Sequence, residues 1–229
     1  MSATPASGAY QVLAGAEPVF SRLVDAYGQP DPFEWFDGGR TGRSLFAAMV
    51  LHITGQSISA SAAFTVYDRV AAASGGIPGA DALLSLGEVE LRALGLSGTK
   101  ARGLLELARR QAAGTIDLEN MAALSDGEVI AALTAVPGIG LWSAQAFLVR
   151  QLHRPDVLPA ADNRIRLAMA REWRLEHTPT PGQAGDRAVA WKPYRSYAAA
   201  LLWRSLRPPG EPADPKARAL ARKNGFDFP

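Results

Sequence analysis

Residues 133–144, Leu-Thr-Ala-Val-Pro-Gly-Ile-Gly-Leu-Trp-Ser-Ala, constrain the fold more than any other part of the sequence. Just upstream, Ser125-Asp126-Gly127-Glu128 has the spacing of a capping box before the apolar segment Val129 to Val136. A helix therefore starts there, and it stops at Pro137, whose ring cannot continue it. Gly138 and Gly140 permit backbone conformations closed to other residues, Ile139 can plug the apolar gap between two helices, and a second helix is expected over about 140–152. Leu133 and Val136 on the first helix face Ala144 and Phe147 on the second. The short turn leaves backbone N–H groups exposed at a helix N-terminus, which can hold a phosphate without reading base sequence. An ordinary corner between two helices is the alternative that the turn by itself leaves open.

The remainder reads as helices divided by Gly, Pro and Ser, so the expected fold class is all-α. Apolar residues recur at helical spacing over 44–54 and 58–73, and shorter helices are expected at 80–85 and 88–94. Over 99–113, Leu104, Leu105, Leu107 and Ala108 form an apolar face against Arg102, Glu106, Arg109 and Arg110. Further helices are expected at 162–174, 191–206 and 214–223, with loops at 177–185 and 208–214.

Charge is unevenly spread along the chain. Residues 1–149 carry 9 Lys and Arg against 14 Asp and Glu, whereas residues 150–229 carry 15 against 8, which hides behind a net charge of only +2. A basic C-terminal third fits a polyanionic partner, and it equally fits solvated arginine-rich helix faces. The absence of Cys excludes disulfides, thiolate-held clusters and a Cys nucleophile. His52, His153 and His177 show no metal-ligand spacing. No apolar run is long enough to span a bilayer and no secretory leader is evident, so a cytoplasmic location and no membrane partner are expected.

Downstream of the hairpin lies Leu158-Pro159-Ala160-Ala161-Asp162-Asn163-Arg164-Ile165-Arg166, with Asp162 22 residues after Gly140. Together with Phe46–Ser59, Gly95–Leu107 and Trp191–Trp203, this order of segments resembles the helix–hairpin–helix DNA glycosylase superfamily, and within it the DNA-3-methyladenine glycosylase II branch. The resemblance covers about residues 44–205. It implies two helical subdomains flanking a DNA-binding cleft: a segment 1–43 packed with the C-terminal helices, a subdomain 44–160 containing the hairpin at 126–152, and a part 161–229 completing the cleft. Longer members carry an N-terminal β-rich domain, which is expected to be absent here.

The resemblance places Asp162 on the catalytic carboxylate, Pro137, Gly138, Ile139 and Gly140 on the phosphate-binding turn, and Gln56 and Ser57 on a DNA-contacting loop. It also implies that the backbone carbonyls of Thr134, Val136 and Ile139 hold a Na+ or K+ ion beside a phosphate, with no cofactor required for catalysis. Trp142 stands where bifunctional relatives carry a Schiff-base Lys, so base removal without strand cleavage is implied, and a bifunctional glycosylase/lyase is disfavoured. The implied partner is double-stranded DNA with alkylated bases, met by a monomer. A non-catalytic DNA-binding module would need the hairpin but not Asp162.

The chemistry fits these residues. Breaking an N-glycosidic bond builds positive charge on the sugar, which a carboxylate near C1′ stabilises. Asp162 also opens a predicted helix, where the macrodipole, Arg164 and Arg166 are expected to favour its ionised form. As a plain N-cap it would need no catalytic role. An alkylated purine such as 3-methyladenine or 7-methylguanine is cationic and prefers an electron-rich aromatic face, for which Trp142, Trp203 and Tyr197 are the candidates. Two positions depart from the branch. Ser57 is small where a bulky residue usually wedges into the gap left by the flipped base, and Ala146 stands where a pocket Tyr is known, implying a wider pocket.

Overall fold

The computed structural model describes residues 5–34 and 37–209, and every regular element among them is helical. In chain order the α-helices are α1 (Pro5–Ala16), α2 (Pro18–Tyr27), α3 (Leu45–Gly55), α4 (Ala60–Ala73), α5 (Ala80–Ala93) and α6 (Gly98–Ala112). They continue with α7 (Asp126–Thr134), α8 (Leu141–Arg150), α9 (Asn163–Glu172), α10 (Pro181–Arg187) and α11 (Arg195–Ser205). Two 3-10 turns, Leu118–Ala123 and Ala188–Trp191, complete the set. None of the described helices is long and apolar enough to cross a membrane. The helix expected at 214–223 lies outside the described residues.

These residues form two compact units, one of residues 5–34 and 148–209, the other of residues 37–147. The chain divides inside α8, between Phe147 and Leu148, where the sequence suggests 160/161; the first division likewise falls after residue 34 and not at 43/44. The shift has a packing cause, because Leu158 is already buried in the core of the discontinuous unit.

In the continuous unit, α3 packs on α4 and α6, and α5 packs on α6. Helix α3 is buried almost all round, from Phe46 to Thr54, and its N-terminus is closed by Ser44 together with Glu119, whose carboxylate accepts from the Leu45 and Phe46 N–H groups at 3.0 and 3.1 Å. Gly87 interrupts α5 with φ +71° and ψ 176°, so the span consists of two short helices meeting at a kink, as expected at 80–85 and 88–94.

In the discontinuous unit, α2 and α9 pack against α11, and α1 against α2 and α11. Its core contains Tyr10, Leu13, Phe20, Leu23, Ile165, Met169 and Trp191. Helix α10 begins inside the stretch 177–185 that the sequence assigns to a loop. Thr180 and Gln183 form a capping box there, which offsets the Pro and Gly content. Helix α11 begins at Arg195 and not at residue 191, since Lys192 is extended (φ −61°, ψ 144°) and the residue ahead of a proline is kept out of the helical region.

Glu17 locks this unit. It occupies the N-cap position of α2 without capping it; its carboxylate accepts from Trp191 Nε1 at 2.7 Å, Arg187 Nη2 at 2.8 Å and Trp173 Nε1. Trp173 stacks on Trp191 and Phe20 meets both edge-on. Burial pushes the Glu17 carboxyl up, but the bonds from Arg187, Trp191 and Trp173 outweigh that and hold it below the ordinary value. A depressed folded-state pKa gives stability that is present above the unfolded value, about 4.3, and lost as pH falls through the folded one. Glu17→Gln is expected to cost about 2–3 kcal/mol at pH 7. The deficit should shrink below about pH 4, as urea unfolding of both proteins across that range will measure.

Candidate functional site

The hairpin forms where the sequence places it. Ser125 Oγ accepts from the Glu128 N–H at 3.3 Å while Glu128 Oε2 accepts from the Ser125 N–H at 2.8 Å, so the capping box is closed. Helix α7 ends at Thr134, and the turn is drawn in by Val136 N–H to Leu133 O at 3.0 Å and Ile139 N–H to Val136 O at 3.1 Å. Leu133, Val136, Ile139, Ala144 and Phe147 are all buried. Pro137, Gly138 and Gly140 remain exposed. The two glycines differ. Gly138 has φ +89°, closed to most side chains, whereas Gly140 is not left-handed and a Cβ on it would meet open space. Glycine at 140 therefore keeps the helix entrance uncovered and is not needed for its torsion angle, contrary to the sequence expectation.

Two residues that the sequence did not single out, Gly103 and Lys100, support this turn and the loop beside it, together with Gln56. Gly103 in α6 lets the helix approach so closely that a Cβ would stand 2.7 Å from the Pro137 carbonyl oxygen. A lone glycine in an otherwise regular helix was the available signal. Gln56 Nε2 donates to the Gly138 carbonyl at 3.2 Å and to Ser143 Oγ at 3.1 Å, tying the loop after α3 to the hairpin. Lys100 Nζ donates to the carbonyls of Thr54 at 2.8 Å and Gln56 at 2.6 Å, a cation on the C-terminus of α3. Burial of that ammonium lowers its pKa. Ser57 follows with φ +60°. Trp142, 40% exposed, stacks on His52 with ring centroids 5.2 Å apart. His52 thus backs an aromatic candidate, where the sequence gives it no particular role. Ala146 is buried.

Asp162 belongs to the other unit and is 8% exposed. It is the N-cap of α9: Oδ1 accepts from the Arg164 N–H at 2.7 Å and the Ile165 N–H at 3.3 Å. Its other oxygen, Oδ2, accepts from Trp203 Nε1 at 3.1 Å. Both oxygens are thereby oriented. The Arg166 guanidinium turns to the Pro179 carbonyl and Asn163 Oδ1.

Helix α11 supplies more than Trp203. At its start, Arg195 makes a two-point pair with Asp156, Nε to Oδ1 at 2.7 Å and Nη2 to Oδ2 at 2.9 Å. Fully buried Ser196 accepts from the Val157 N–H at 3.0 Å and donates to the Arg154 carbonyl at 2.6 Å. One helix therefore holds the loop leading to Asp162 and, two turns later, the carboxylate itself. Trp203 is covered by the Arg150 guanidinium 5.1 Å from its ring centroid, and Arg150 Nη1 donates to the Glu34 carbonyl. Tyr197 is only 7% exposed, edge-on to Tyr10, Phe33 and Tyr194, so it is a core residue with little surface left for a ligand.

A phosphate-type hairpin followed by an oriented carboxylate defines a class. Residues 50–193 match the HhH-GPD superfamily of base excision DNA repair proteins, and the chain belongs to that superfamily. It is 31% identical to YfjP of Bacillus subtilis over 170 residues, which are 71% of this chain and 59% of YfjP, so it spans less than two thirds of that relative. It is 28% identical to DNA-3-methyladenine glycosylase 1 of Schizosaccharomyces pombe over 84% of each chain, and 29% identical to DNA-3-methyladenine glycosylase 2 of Escherichia coli over 83% of this chain and 74% of that one. The structure of the S. pombe enzyme, Mag1, in complex with abasic DNA superposes with a TM-score of 0.72 at 27% identity, covering 86% of this chain and 96% of that one.

Proposed function

We propose that the protein is a monofunctional DNA glycosylase that hydrolyses the N-glycosidic bond of alkylated bases, of the 3-methyladenine and 7-methylguanine type, in duplex DNA. The observation that carries this reading is Asp162, a carboxylate oriented through both oxygens by Arg164, Ile165 and Trp203 and located downstream of a helix–hairpin–helix turn. Names of the S. pombe and E. coli relatives support the substrate class.

In this mechanism the exposed turn Pro137–Gly140 holds a backbone phosphate through its N–H groups. The carbonyls of Thr134, Val136 and Ile139 are neutral donors with no carboxylate among them, a set suited to Na+ or K+ and not to a hard divalent ion. The displaced cationic base stacks on the exposed face of Trp142, whose other side is backed by His52. The bond from C1′ to the base nitrogen breaks, the electron pair leaves with the base, and Asp162 stabilises the cationic sugar. Water adds to C1′ and loses a proton, leaving an abasic site. No amine stands at Trp142 to form a Schiff base, so the strand stays intact. Capping α9 occupies only Oδ1, so the further bond from Trp203 Nε1 to Oδ2 disfavours a non-catalytic module.

Duplexes carrying single defined lesions should become alkali-labile after incubation and remain uncut before alkali; strand cleavage without alkali would overturn the monofunctional reading. Trp203→Phe keeps the ring under Arg150 but removes the donor to Asp162 Oδ2. Its single-turnover rate is expected to fall about tenfold, the value of one bond of about 1.5 kcal/mol to a charged group, with DNA affinity unchanged in a binding titration.

A further inference from the structure

The loop between α3 and α4 is short and braced from two sides. Lys100 holds its first carbonyls, and Gln56 joins it to the Gly138 carbonyl and Ser143 of the hairpin. Ser57 takes a left-handed backbone, a conformation unfavourable for a residue other than glycine, so a bulky side chain placed there would carry additional strain. The next residue, Ile58, is 43% exposed. Its N–H is bound to the Gly55 carbonyl at 3.3 Å, and Ser59 then caps α4. A β-branched side chain has few rotamers, and leaving it in water on a rigid loop forgoes burial it could have found in the core. Such a side chain, fixed beside a turn that holds a DNA phosphate, has the chemistry of an intercalating wedge.

We propose that Ile58, and not the residue at position 57, enters the base stack and fills the space left by the displaced nucleotide. This rests on the glycosylase reading for its substrate, but it concerns DNA distortion and is read without base release. Filling the vacated stack matters most where no base remains, so the effect should be seen as preference for an abasic site over intact duplex.

The test is binding of wild type, Ile58→Ala and Ser57→Leu to a duplex with a tetrahydrofuran abasic analogue and to the same duplex unmodified, with 2-aminopurine next to the analogue reporting unstacking. Ile58→Ala is expected to lose about tenfold of the abasic preference and most of the 2-aminopurine change, while its affinity for intact duplex and its thermal midpoint stay as in wild type. Ser57→Leu should gain no preference. An Ile58→Ala protein with wild-type preference, or a gain confined to Ser57→Leu, would overturn the proposal. Base release from methylated DNA by wild type, followed in parallel, separates the two readings: release with no Ile58 effect sinks the wedge alone, and an Ile58 effect without release sinks the glycosylase alone.

Discussion

Asp162→Asn is expected to lower single-turnover base release by a hundredfold or more while the protein still folds and still binds DNA. In the proposed mechanism the catalytic share of the carboxylate is its charge opposite the developing sugar cation, and removing such stabilisation typically costs about 3 kcal/mol or more. The structural share is smaller and largely retained. An Asn side-chain oxygen can still accept from the Arg164 and Ile165 N–H groups that Asp162 Oδ1 serves, and Asn is as good an N-cap as Asp. Only the bond from Trp203 Nε1 meets an amide in place of an acceptor. A thermal midpoint near wild type with abolished turnover separates charge from capping. Wild-type turnover would leave Asp162 as a helix cap.

Gly138→Asp should weaken binding to every duplex alike, on the order of a hundredfold. Two penalties act together. The residue sits at φ +89°, where a side chain is strained, and a carboxylate on the exposed turn would repel the phosphate that the turn is proposed to hold. Binding titrations on damaged and undamaged duplexes of several sequences read this directly. A loss restricted to one lesion or one sequence would move the hairpin from phosphate contact to base recognition.

Much of this architecture is legible in the sequence wherever a local rule governs it. The capping box at Ser125–Glu128, the break at Gly87 and the cap at Asp162 are all set by residues within a few positions of each other, and each has its expected place. The box at Thr180–Gln183 obeys the same rule but is masked by the surrounding Pro and Gly. Helices α1 and α2 are harder to read, since Tyr10, Leu13, Phe20 and Leu23 are a sparse apolar set whose burial depends on α11, far along the chain.

The site divides in the same way. Asp162 and the hairpin follow from motif spacing. That Trp203 orients the carboxylate does not, because the two are 41 positions apart and the choice between aromatic wall and hydrogen-bond donor is made by tertiary packing. The Arg195–Asp156 pair, the Ser196 bonds and the close pass of Gly103 beneath Pro137 are of the same kind. Each is a contact between segments that no local pattern joins.

An oriented carboxylate and a phosphate-binding turn are proposed to suffice for release of a cationic base. This is tested most directly by incubating enzyme in excess with methylated duplex DNA in EDTA and separating the freed bases chromatographically. Wild type is expected to release 3-methyladenine or 7-methylguanine, unaffected by the chelator, and Asp162→Asn to release none. Absence of any methylated base from the wild-type reaction, or release that EDTA abolishes, would contradict the proposal.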